Sequence, residues 1–90
     1  MALLSETEIQ GKLSRLPGWE RHGREIRRTW AFADFKAAMA FVNRVAGLAN
    51  AADHHPDIDI RYSKVALVLS THDAGGLTAR DFALAESIGA

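Results

Sequence analysis

The amino-acid sequence predicts an α+β fold: a four-stranded antiparallel sheet with three helices on one face, in the order α-β-β-α-β-β-α. Three observations lead there. Stretches with apolar residues at helical spacing open on the capping residues Ser5, Asp34 and Thr78. Between them lie two pairs of strand-like stretches, each joined by a two-residue turn, which makes antiparallel hairpins. Hairpins separated by helices bury their apolar surface as a sheet covered by helices. The 90 residues make a single domain, 1–90, with no internal repeat.

Ser5-Glu6-Thr7-Glu8 reads as a capping box, a serine whose partner glutamate follows three residues on. The helix it opens carries Ile9, Leu13 and Leu16, and Pro17-Gly18 stops it. Trp19 to His22 and Glu25 to Phe32 form a hairpin around Gly23-Arg24. Ile26, Trp30 and Phe32 share a face that Arg28 interrupts, either to guard an edge strand against mispairing or to reach a ligand. His22 reads as a surface residue.

Asp34 caps the longest helix, roughly 35 to 52. Two apolar stripes run along it: Phe35, Met39, Val42, Ala46 and Ala49 on one, Ala38, Phe41, Val45 and Leu48 on the other. Their combined arc exceeds the ~100° that packing on one core requires. The second stripe therefore suggests a partner, as in an oligomer. Asp57 to Tyr62 alternates, with Ile58, Ile60 and Tyr62 on one face. Ser63-Lys64 turns the chain into Val65 to Thr71, apolar on both faces and so a central strand. After the loop Asp73-Ala74-Gly75-Gly76, Thr78 to Asp81 repeats a capping-box pattern and opens a helix with Phe82, Leu84, Ala85 and Ile88.

Composition excludes several classes. Eleven basic and eleven acidic residues cancel, which argues against nucleic acid held by bulk charge. Without cysteine there is no disulfide, thiolate nucleophile or zinc-thiolate site. The longest apolar run, Val65 to Leu69, is five residues, and the N-terminus lacks a signal-peptide pattern, so a soluble cytoplasmic protein without membrane contact is expected. No glycine-rich phosphate loop, nucleophile elbow or HExxH motif is present.

The chemistry falls at element ends. His54-His55-Pro56 follows the long helix, His72 follows the central strand, and Asp81 opens the last helix. Histidine exchanges protons near neutrality, and adjacent histidines in an extended segment face opposite ways, so one enters a pocket while the other lines its rim. Each residue also has a structural reading: the histidine pair as a polar helix end, His72 as a solvated loop residue, Asp81 as a cap. Neighbouring histidines are awkward joint ligands on one ion, and no metal is expected.

At these residues the chain resembles the pterin-4a-carbinolamine dehydratases. That family's pattern is a charged residue, three residues, His-His-Pro, five or six residues, an aromatic, nine residues, a histidine and a later aspartate. Here His54-His55-Pro56 is followed by five residues to Tyr62, nine to His72 and eight to Asp81. The likeness extends through Leu16-Pro17-Gly18-Trp19, Phe41 to Val45, Ser70 to Asp73 and Gly76 to Thr78. Two positions depart: Asn50 stands where the pattern has a charge, and Ile58 where many members have tryptophan.

The resemblance implies a dehydratase that removes water from a 4a-hydroxytetrahydropterin to give the quinonoid dihydropterin, without metal or redox cofactor. It implies His54 and His72 as the acid–base pair, His55 binding and orienting the pterin, and Asp81 orienting His72. Asn50, Asp53 and Thr71 become pterin contacts or supports. It also implies the α+β fold, and dimers or tetramers formed partly through a helix bundle. Two other roles stay open: an interaction module of the transcription-factor dimerisation-cofactor type, and a pterin-binding chaperone in molybdopterin metabolism.

Overall fold

Ser5 caps the first helix as its spacing predicts, its hydroxyl accepting from the Glu8 amide at 3.2 Å while the Glu8 carboxylate accepts from the Ser5 amide at 2.9 Å. The Ser5 amide bond holds the Glu8 carboxyl below its ordinary value. The computed structural model describes residues 2–89. In chain order the elements are α1 (Glu6–Leu13), β1 (Glu20–His22), β2 (Glu25–Ala31), α2 (Phe35–Ala52), β3 (Asp57–Arg61), β4 (Lys64–Leu69) and α3 (Ala79–Ile88), with a short 3₁₀ turn at His72–Ala74 before α3. The predicted α+β order is the order found.

The four strands are antiparallel and lie in the order β1-β2-β4-β3. β4 is therefore central, as its apolar character requires. Ile26, Val65, Leu67 and Leu69 are completely buried on the helix-covered face. Ala38, Val45 and Ala49 of α2 meet them, joined by Phe82, Leu84, Ala85 and Ile88 of α3. Burying each large aliphatic or aromatic side chain contributes roughly 1.5–3 kcal/mol.

Two local expectations are corrected. α1 ends at Leu13 rather than reaching Leu16: the Ser14 hydroxyl donates to the Gly11 carbonyl at 2.7 Å, and Arg15 and Leu16 bond three residues back, tightening the chain into turns. The second hairpin turns on Tyr62-Ser63, because Arg61 pairs with Lys64 and Tyr62 takes a left-handed φ of 53°. Arg28 lies just past the β1 pairing, which reaches only Arg27 of β2, so its stretch of β2 has a strand neighbour on the β4 side alone. Its guanidinium lies 4.7 Å from the Trp30 ring centroid and donates to the Pro17 carbonyl at 2.7 Å, fastening the α1–β1 connection.

The stripes on α2 are largely absorbed by the chain itself. Ala38 and Val45 are fully buried, and Phe41 sits against Trp30 and Phe32 with ring centroids 4.7 and 5.1 Å away. Apolar surface remains elsewhere: Phe35 is 49% exposed, Ile58 and Ile60 of β3 are 38% and 37% exposed, and Tyr62 in the turn after it is 69% exposed. Pairing of Ile58 with Leu67 and of Ile60 with Val65 places both isoleucines on the core side of the sheet, at an edge the helices do not reach.

Candidate functional site

α2 ends where Asp53 adopts the left-handed conformation, φ 50° and ψ 43°, which aspartate tolerates better than most residues. The His54 amide reaches back to the Ala49 carbonyl at 3.1 Å and the Asp53 amide to the Asn50 carbonyl at 3.2 Å, a Schellman-type ending followed by Pro56. This turn drives His54 inward and leaves His55 outside. His54 is 8% exposed, whereas His55 is exposed. The pair divides as its sequence predicts.

Inside, His54 meets Asp81. The His54 Nε2 lies 2.6 Å from Asp81 Oδ1, and Asp81 is completely buried. The second carboxylate oxygen accepts from the Thr71 hydroxyl and from the Thr78 amide, each at 2.9 Å. Thr71 and Thr78 hydroxyls are themselves 2.8 Å apart. With the Thr71 proton on Asp81, the Thr78 hydroxyl donates to Thr71. Three donors thus converge on one carboxylate. An ionised carboxylate only accepts, so His54 presents Nε2–H to it, and whenever the ring is neutral its lone pair is on Nδ1.

The expected pairing of Asp81 with His72 is therefore corrected: Asp81 orients His54. α3 runs from the capping box, Asp81 is its third residue, and that turn faces the end of α2. His72 stays exposed in the 3₁₀ turn. Asn50 accepts from His55 Nε2 at 3.0 Å, so the neutral amide at the usually charged position supports a histidine.

A cleft of about 260 Å³ gathers Asp53, His54, His55, Thr71 and His72 with Ser70, Asp73 and Arg80. Asn50 lies behind, reaching the cleft through His55, and Asp81 lies beneath, reaching it through His54. The arrangement can give and take protons on two imidazoles, with carboxylate, hydroxyl and guanidinium groups beside them to fix a polar heterocycle.

A family model described as pterin 4 alpha carbinolamine dehydratase matches residues 2–90. This chain belongs to the pterin-4a-carbinolamine dehydratase family. A Roseiflexus castenholzii protein provisionally named pterin-4-alpha-carbinolamine dehydratase is 60% identical over 87 residues, covering 97% of this chain and 94% of the relative. An Acidobacterium capsulatum protein of the same name is 60% identical over 88 residues, covering 98% and 96%. Among solved structures, the transcriptional coactivator/pterin dehydratase from Brucella melitensis superposes with a TM-score of 0.92 at 32% identity, over 97% of this chain and 95% of that one. A pterin dehydratase-like protein described as a RuBisCO assembly factor in the alpha-carboxysome has a TM-score of 0.68 at 21% identity, over 80% and 86%, and shares the fold alone.

In this dehydratase-family site, sequence reasoning missed Arg80, Ser70 and Asp73. Arg80 had a readable signal: a cation in the first turn of a helix opposes the helix dipole and needs another anchor. It finds one across the fold, donating to the Asp53 carbonyl and, at 3.4 Å, to that of Ala52, the free carbonyls at the end of α2. Arg80 thereby clamps the turn that carries both histidines. Arg80→Ala is expected to speed amide hydrogen exchange at His54 roughly tenfold or more, with Arg80→Lys restoring part of the protection. Unchanged exchange by NMR would remove the clamp.

Proposed function

We propose that the protein is a 4a-hydroxytetrahydropterin dehydratase, a hydro-lyase in a cytoplasmic pterin-recycling step. The observation that carries the reading is the buried His54–Asp81 couple opening on a cleft shared with His55 and His72. The family and the names of its relatives support it.

The elimination needs two proton transfers. The C4a–O bond breaks and hydroxide, a poor leaving group, takes a proton and departs as water. The adjacent ring nitrogen gives up its proton, and its electron pair becomes the new C=N bond. With Nε2–H committed to Asp81, His54 offers Nδ1 as the base that receives the ring proton. His72, exposed across the cleft, is the acid that protonates the departing hydroxyl. His55, steadied by Asn50, holds and orients the pterin, while Asp53 and Thr71 line its seat. Positioned acid–base groups of this kind contribute ~10²–10⁴-fold.

The direct test follows absorbance of the quinonoid product from chemically generated 4a-hydroxytetrahydropterin, with and without protein. Acceleration is expected; folded protein that leaves the spontaneous rate unchanged would overturn the reading.

The exposed apolar groups on β3 and Phe35 support assembly into a homodimer or homotetramer. Phe41 is a poor probe of assembly, since a charge there would disturb its packing on Trp30 and Phe32 within one chain. Ile60→Asp, on the open edge, is expected to shift sedimentation toward the monomer while the circular dichroism spectrum is kept. An unaltered sedimentation profile would place the interface elsewhere.

A further inference from the structure

His72 stands between two clefts. Beyond the site already described lies a second space of about 330 Å³, lined by Arg24, Glu25, Ser70, His72 and Gly75. Ser70 and His72 line both spaces, so the two adjoin at His72, and the second extends toward the β1–β2 turn. That turn is docked on the His72 loop. The Ser70 hydroxyl donates to the Arg24 carbonyl at 2.7 Å. The stem of the Arg24 side chain passes over Gly76, where an added Cβ would come within 4.0 Å of the arginine's Cβ and Cγ.

The charges of this second cleft are unequal. The Glu25 carboxylate is engaged by Arg27 at 2.9 Å. The Arg24 guanidinium is exposed and pairs with no carboxylate among the described residues. A free guanidinium fork at the end of a cleft suits a phosphate or carboxylate. The first cleft offers donors and acceptors for the amino, amide and carbonyl groups of a pterin's pyrimidine ring: Asp53, His55 and Arg80. The opposite end of the pterin carries its variable substituent, on carbon 6, and needs room and a different reader.

We propose that the second cleft receives the carbon-6 substituent and that Arg24 selects pterins whose substituent ends in a phosphate or carboxylate. The inference rests on the dehydratase reading and names its substrate class: anionic pterins.

The test is binding, read by isothermal titration calorimetry, and so is independent of turnover. Three probes are titrated into the full chain: 6-hydroxymethylpterin, its monophosphate, and folic acid, whose substituent ends in carboxylates. An anionic probe is expected to bind roughly fivefold tighter than the neutral one at low salt, the advantage shrinking as salt is added. Whichever anionic probe gains more distinguishes phosphate from carboxylate. Arg24→Gln should bring the ratio of affinities to about one, and Arg24→Glu should invert it. Equal affinities for all three probes, or a ratio untouched by Arg24→Gln, would overturn the proposal and leave the dehydratase reading in place. Failure of every pterin to bind folded protein would overturn both.

Discussion

Asp81→Ala is expected to destabilise the fold by several kcal/mol, at about 1–3 kcal/mol for each buried donor left without an acceptor. Three donors lose their acceptor at once: His54 Nε2–H, the Thr71 hydroxyl and the Thr78 amide. The alanine protein therefore tests the core, and Asp81→Asn tests the chemistry. The asparagine carbonyl can still accept from Thr78 and Thr71. Its amide NH₂ then faces His54 and donates, so the ring must turn its lone pair to Nε2 and carry its proton on Nδ1. That is the wrong tautomer for a base whose working atom is Nδ1. Turnover should fall about 10²–10⁴-fold with a smaller loss of stability, and the imidazole ¹⁵N shifts of His54 should exchange character between the two nitrogens. A loss of stability with turnover intact would reduce Asp81 to its capping role.

His54 and His72 should respond differently to removal although both are assigned to proton transfer. His72→Ala takes away an exposed side chain. It should change stability by less than about 0.5 kcal/mol and lower turnover at least about a hundredfold. His54→Ala strips Asp81 of its imidazole and costs stability as well. His54→Gln separates the two effects, because its side-chain amide can donate to Asp81 without accepting the substrate's proton. The glutamine protein should stay folded and lose turnover as His72→Ala does. Steady-state rates with chemically generated substrate, together with denaturant midpoints, decide the matter. Near-normal turnover in either folded variant would refute the corresponding role.

Much of this protein is local, and what is local could be read in one dimension. Ser5 with Glu8, Asp34, and Thr78 with Asp81 announce their helices because a cap satisfies amides only two or three residues away. Gly23-Arg24 announces the first hairpin, and the apolar faces of β4 announce a central strand. The division of labour between His54 and His55 follows from adjacency and from Pro56. The site residues were legible mainly through family resemblance, because the spacing of His54, His55, Tyr62, His72 and Asp81 has no meaning to secondary-structure periodicity.

Contacts between distant segments had no such signature. Asp81 and His54 are 27 residues apart, and their bond depends on how α3 crosses the end of α2. Arg80 reaches α2 across the same gap. Arg28 was an edge guard or a ligand contact by its pattern alone, and only the tertiary structure set its guanidinium on the Trp30 ring and the Pro17 carbonyl. The second stripe of α2 looked unpartnered until Val45 and Ala38 were counted in the core. Composition, capping and alternation determine which elements form, because those energies are exchanged between near neighbours along the chain. Which histidine receives the carboxylate, and which arginine holds the turn beneath it, is decided only by tertiary packing, because burial, strand order and helix crossing bring together groups whose separation in sequence carries no energetic information.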